Sequence, residues 1–233
     1  MTDRENELFT LARSTRGFMP DEEGAALYGA ARRAGETARR AGEAARRAGE
    51  AARRAGPPVF VEVGAWCGKS TIYLGAAAEA TGAVLFSVDH HHGSEENQPG
   101  WEHHEPDLVE PRDGRIDTLP SWRRSIADAR LEGVVVGVVG DSPTVASCWT
   151  TMVDFCFIDG GHGEGPAWAD YRGWAPLVAA GGLLAIHDVF PDPAGGGRPP
   201  YEVWCDAASS GDWEEDAECG SLRVLRRLGA SER

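Results

Sequence analysis

VFVEVGAWCGKST, residues 59–71, decides the fold. An apolar run, Val59 to Val63, carries one acid, Glu62, and breaks into two glycines, Gly64 and Gly68, before Lys69, Ser70 and Thr71. That order reads as a buried strand, a tight turn and the start of a helix. Glycines around such a turn let the backbone come close to a ligand, and the helix start offers free N–H groups. Three ligand classes use turns of this kind. A phosphate cradle needs four residues between its glycine and the Gly-Lys pair, whereas only Ala65, Trp66 and Cys67 stand here. A dinucleotide fingerprint needs glycine where Trp66 stands. Both are near misses.

Further along the chain, four more short apolar runs follow at residues 83–88, 134–139, 153–158 and 183–186, each closed by polar or glycine residues. Helical patterns begin near Gly68, Asp117, Ser142 and Gly165. Strand and helix in alternation predict an α/β fold, a Rossmann-like parallel sheet with helices on both faces. Residues 213–219 and 221–228 flank Gly220 and form a candidate antiparallel hairpin at the C-terminus. The expected division is an N-terminal helical segment, residues 1–56, and a catalytic domain, residues 57–233.

In a sheet of this kind ligands bind at the carboxyl ends of the strands. The second strand ends at Asp89, 21 residues after Gly68, where a carboxylate can accept from both hydroxyls of a ribose. The third ends in Asp141 and Ser142, which also suit a helix N-terminus followed by Pro143. The fourth ends in Phe-Ile-Asp-Gly-Gly-His, with Asp159 and His162, and the fifth in Ala-Ile-His-Asp, with His187 and Asp188. If the fourth and fifth strands are neighbours, about 4.8 Å apart, Asp159, His187 and Asp188 share one rim. Two carboxylates and an imidazole there read as a divalent-metal site; the alternative is a cofactor or hydrogen-bonding role without metal.

The pattern E-x-G-x-x-x-G formed by Glu62, Gly64 and Gly68, with acids at successive strand ends, resembles the class I S-adenosylmethionine (SAM)-dependent methyltransferases. The resemblance spans residues 59–189. It implies that the turn wraps the methionine part of SAM, with Glu62 approaching its amino group directly or through water. Asp89 would then hold the ribose and Asp141 with Ser142 the adenine side. Gly64, Gly68, Ser70, His90 and Asp159 complete the cofactor set. Residues 153–189 resemble the branch containing catechol-type and sugar O-methyltransferases and the cephalosporin-hydroxylase-like proteins. There, acids after these strands hold magnesium; His187 departs from that pattern, which leaves magnesium or manganese open. The implied reaction is methyl transfer to a small-molecule acceptor, a hydroxyl on a sugar or natural product. His162, as a neutral imidazole, is the expected general base, with Asp188 beside it.

Composition narrows the field. A net charge of −14 disfavours a nucleic-acid partner. No apolar run has transmembrane length and no basic leader precedes an apolar one, so a cytoplasmic protein is expected. Five cysteines at irregular spacing argue against a disulfide framework or zinc ribbon. A seven-residue repeat, each unit opening Ala-Arg-Arg-Ala-Gly, runs over residues 31–58 and carries +5 against −19 elsewhere. Glu-to-Arg spacings of three and four predict a solvated helix ended by Pro57 and Pro58, with pairing of two subunits as its functional reading. His90, His91, His92, His103 and His104 flank an acidic insert, residues 93–110, placed as a lid. Two other classes remain: a SAM-binding or hydroxylase-like protein without transfer, and a nucleotide hydrolase using Lys69, the sole lysine.

Overall fold

A computed structural model describes residues 1–47, 56–101, 103–192, 194 and 196–229. Five parallel strands and a hairpin form a seven-stranded sheet: β1 (Val59–Val63), β2 (Val84–Asp89), β3 (Val135–Val139), β4 (Val153–Ile158), β5 (Val178–Ile186), β6 (Trp213–Cys219) and β7 (Leu222–Arg227). Their order is β3-β2-β1-β4-β5-β7-β6, with β7 antiparallel to both β5 and β6. The chain leaves β1 in one direction across the sheet and returns to β4 on the other side. The switch point therefore lies between β1 and β4, where a crevice opens at the strand ends. Residues 59–63 and 153–158 are strands over the expected spans.

Side chains alternate between faces with the strand period of two. Phe60, Leu85, Phe155, Phe157, Leu183 and Ala185 point to one core, which α1 (Asp3–Ser14), α2 (Asp21–Arg47), α3 (Lys69–Thr81) and α4 (Leu119–Asp128) cover. Val61, Val63, Cys156, Ile158, Leu184 and Ile186 point to the other, under α5 (Ser142–Ser147), α6 (Glu164–Trp174) and α7 (Arg198–Ser209). β3 is the exception to the expected burial. As the sheet edge, it leaves Val136 and Val139 exposed.

The N-terminal helices are packed into this core. α1 opens with a capping box between Thr2 and Glu5. Leu8 and Phe9 of α1 and Leu27, Ala30, Ala31 and Ala34 of α2 are buried in the same cluster as Tyr73 of α3. The repeat thus differs from a uniformly solvated helix: its first unit is clamped between α3 and the sheet. Beyond Gly35 no side chain of the described helix is buried, and Arg39–Glu43 and Arg40–Glu36 pairs lace its surface. The expected stop at Pro57 and Pro58 concerns a helix end at residues 48–55, outside the described residues.

α7 starts inside a Gly- and Pro-rich stretch of the sequence, residues 191–200. Pro199 and Pro200 fall in its first turn, where a missing N–H costs nothing. Among the described residues no helix is long and apolar enough to cross a membrane. Because Leu27 is fully buried, Leu27→Ala is expected to cost about 2–5 kcal/mol in a single urea transition. A loss below about 1 kcal/mol, or a separate early transition, would show that α2 is not part of the core.

Candidate active site

The turn after β1 is shaped by its neighbour strand. Gly64 has φ +85°, and a Cβ there would overlap the backbone carbonyl oxygen of Asp159. The end of β1 is thereby pressed onto the end of β4. Gly68 closes the turn through its N–H to Ala65 O, 2.8 Å, and begins α3. Asp89 ties the turn to β2: its Oδ2 accepts from the N–H of Ala65 (2.8 Å) and Trp66 (3.0 Å), and its Oδ1 from His91 N–H (2.7 Å). His90 is exposed beside it.

Two expected cofactor residues lie elsewhere. Glu62 is fully buried, and its carboxylate accepts from Ser70 Oγ (2.6 Å), Thr71 Oγ1 (2.7 Å) and Ser87 Oγ (2.6 Å). It joins β1, β2 and α3 from inside the sheet and does not reach the crevice as an amino-group partner would. Ser70 serves the same joint. Burial pushes the Glu62 carboxyl up to about 7 despite these donors. Asp141 caps α5, accepting from Thr144 N (3.1 Å) and Oγ1 (2.6 Å), and remains exposed on the rim. Ser142 Oγ accepts from Trp174 Nε1, 2.8 Å. Lys69 Nζ lies 3.4 Å from Asp21 Oδ1, so the cation a phosphate cradle requires is already paired.

The expected trio at β4 and β5 does converge. The strands are neighbours with Ile158 opposite Ile186, and His187 N–H bonds back to Ile158 O at 3.1 Å. His187 Nδ1 stands 3.0 Å from Asp159 Oδ1 and 3.4 Å from Asp188 Oδ2. His162 joins them: its Nε2 is 2.8 Å from Asp188 Oδ2 and its Nδ1 3.0 Å from Glu96 Oε1. His187 Nε2 is hydrogen-bonded to Glu23 Oε2 at 2.5 Å. Asp188 holds φ +55°, a left-handed backbone that a non-glycine adopts only when its surroundings enforce it.

Charge follows from this geometry. Burial opposes a charged His162, yet Asp188 and Glu96 prevail and its pKa is pushed up to about 10. His187 is held well above the usual value by Asp159, Asp188 and Glu23 against the same burial penalty. Asp188 is kept well below the carboxylate range, since the two imidazoles outweigh its burial. Asp159 is raised by burial, which His187 only partly offsets. The expectation for His162 is a neutral base; its place between two carboxylates favours the protonated form instead.

A divalent cation fits these residues. Asp159, His162 and Asp188 each offer a ligand atom, all within 4.8 Å of one another. His162 Nε2 and His187 Nδ1 are buried and face carboxylates, but neither has an aligned hydrogen bond among the described residues. Ring nitrogens left without an aligned partner in an acidic site are what an added ligand would use. A small recess lined by Asp159, Gly160, His162, His187, Pro200 and Val203 lies at this point. A cavity of about 700 Å³ lies elsewhere, between Arg16, Leu108, Asp117 and Arg124.

Glu23, Glu96 and Asp170 escaped the sequence reading. Glu23 sits in an acidic first helical turn, and no spacing connects it to β5. Glu96 belongs to the insert, which lies across the site with Ser94 against Gly161. Asp170 is a buried acid on α6 whose carboxyl burial pushes up to about 6, and no spacing in the sequence marks it.

Residues 61–189 match the family described as methyltransferase domain. Among solved structures, the chain is similar to the S-adenosylhomocysteine (SAH)-bound methyltransferase PaMTH1 of Podospora anserina: 13% identity, 98% of this chain, 89% of that one, TM-score 0.61. It is also similar to the O-methyltransferase NovP, at 16% identity over 74% of this chain and 73% of that one, TM-score 0.56. A third likeness is cofactor-bound Rv0187 from MTB, at 12% identity over 97% and 90%, TM-score 0.58. At these identities the structures show the fold.

Glu62 yields a pH prediction. Its folded pKa of about 7 exceeds the unfolded value, so its contribution is complete below the unfolded pKa and is lost as pH rises through 7. Raising pH from 4.5 to 8 should therefore favour Glu62→Gln over the unsubstituted protein, by about 3 kcal/mol in urea unfolding. A pH-independent difference would overturn that assignment.

Proposed function

Since the chain belongs to the methyltransferase-domain family and transfers a methyl group, we propose that its donor is SAM and its acceptor a hydroxyl oxygen of a small molecule, a sugar or natural product. The observation that carries this reading is the acid and imidazole cluster set directly against the β1 turn, with Gly64 on Asp159. Asp89 and Asp141, at adjacent strand ends, are the groups for ribose and adenine. SAM when bound supplies an electrophilic methyl on a sulfonium. Asp159, Asp188 and the facing nitrogens of His187 and His162, once those imidazoles have released a proton, would hold magnesium or manganese, which would lower the pKa of a bound hydroxyl.

The chain's own residues do the rest. Asp188, fixed between two imidazoles, stays anionic and orients the acceptor side. Asp159, whose carboxyl burial raises, is the group that would take the acceptor's proton during the transfer. The insert reaches the site through Glu96, whose Oε1 lies 3.0 Å from His162 Nδ1, and through Ser94 beside Gly161, so its closing over a bound acceptor would shield the reaction from water.

That closure also favours a second reading, a SAM-binding or hydroxylase-like protein without transfer, if the insert never opens. A cytoplasmic location suits five unpaired cysteines, and a charge of −14 suits a small acceptor over nucleic acid. The solvated far half of α2 is a surface on which two copies could pair.

The test is transfer from methyl-labelled SAM to phenolic and sugar hydroxyls, with magnesium, manganese or chelator. Asp159→Asn is expected to lower kcat by about 10²–10⁴-fold with SAH affinity retained. An unchanged rate in that variant would contradict the assignment, and SAH binding without transfer to any acceptor would promote the second reading.

A further inference from the structure

Glu23 is the buried acid that the proposed reaction leaves without a role. It lies in the first turn of α2, 5% exposed, and none of the strand-end motifs includes it. Its carboxylate joins three segments remote in sequence. Oε1 accepts from Ser221 N–H at 2.8 Å, Oε2 from Ser221 Oγ at 3.1 Å, and Oε2 meets His187 Nε2 at 2.5 Å. Gly220 lies so close that a Cβ would overlap Glu23 Oε1, and its φ of +55° suits glycine. The hairpin turn between β6 and β7 is thus moulded around this carboxylate.

From this geometry we infer that Glu23 is a positioning residue for the reaction: it fixes the ring of His187 so that Nδ1 faces Asp159 and Asp188. The ring has two nitrogens, and the fold settles which one each neighbour receives. Glu23 takes Nε2–H on the side of α2. Nδ1 is left 3.0 Å from Asp159 Oδ1 and 3.4 Å from Asp188 Oδ2, without an aligned partner. Phe157 packs on the ring at 6.2 Å between centroids and offers it no polar contact. Without Glu23 a rotation about χ2 would turn a ring carbon toward the two acids, with only their attraction for Nδ1 left to oppose it. A carboxylate on the far nitrogen also makes the near nitrogen a better electron-pair donor, as in histidines that bind cations.

The burial itself supports a purpose beyond packing. A desolvated carboxylate costs several kcal/mol and is retained only where donors and a cation compensate it. Ser221, the start of α2 and His187 together supply that compensation. By this route the N-terminal helices hold part of the active site, which neither the repeat nor the family motif reveals.

The inference rests on the cation reading above only in one of its two readouts. The first is the protonation pattern of His187 in protein labelled with ¹⁵N-histidine, assigned by the signal missing in His187→Gln. The second is Mn²⁺ affinity, with SAH affinity and Tm as controls of the fold. In the unsubstituted protein His187 should show a strongly hydrogen-bonded Nε2–H. Glu23→Gln should displace that pattern and weaken Mn²⁺ binding by about 10–100-fold, with SAH affinity within about twofold. Glu23→Asp, which keeps the charge but withdraws it by one methylene, should fall between and serves if the Gln variant does not fold. Unchanged His187 nitrogens in the variants would overturn the inference, as would a parallel fall of Mn²⁺ affinity, SAH affinity and Tm. If the unsubstituted protein takes up no Mn²⁺, the cation reading fails, and the His187 nitrogens alone decide the role of Glu23.

Discussion

Four carboxylates, Glu23, Glu96, Asp159 and Asp188, meet two imidazoles, His162 and His187, at the ends of β4 and β5. Acids brought this close out of water repel one another and lose hydration, so they persist only when cations are interleaved. The imidazoles alternate with the acids along one chain of contacts, from Glu96 to His162, Asp188, His187 and Glu23. The links come from four parts of the fold: the insert, the end of β4, the end of β5 and the N-terminal helix. The site is consequently where those parts are fastened together, and its chemistry and its assembly are not separable.

Much of this was legible in the sequence. Strand runs at residues 59–63 and 153–158 are buried on both faces and therefore read as continuous apolar stretches. Asp89, Asp159, His187 and Asp188 follow from strand ends, because a parallel sheet brings all such ends to one side. Other features were hidden for physical reasons. β3 is as apolar as a central strand yet lies at the edge, since strand order is set by the crossover helices. α7 begins at prolines, which signal a loop as readily as a first turn. Glu62 shows how a motif position can be engaged by the scaffold. Its three hydroxyl donors come from Ser70, Thr71 and Ser87, and only the last requires the pairing of β1 with β2 to be seen.

The charge state of His162 could not be read from its position after β4. It depends on Glu96, an acid in an insert whose path across the site is a tertiary matter. A neutral base and an imidazolium clamp are the same residue in the sequence and opposite in chemistry. The same holds for the N-terminal segment: an alanine-rich repeat predicts a solvated helix, whereas its first unit supplies core contacts and the first turn of the same helix supplies a carboxylate to the site.

Methyl transfer by this chain turns on a crevice at the β1–β4 switch point that accepts a methyl donor. Isothermal titration with SAH, NAD and ATP in parallel tests that most directly. Micromolar binding of SAH, with NAD and ATP at least about 100-fold weaker (about 3 kcal/mol), is the predicted result. Binding of ATP in preference, or no SAH binding at millimolar concentration, would contradict it.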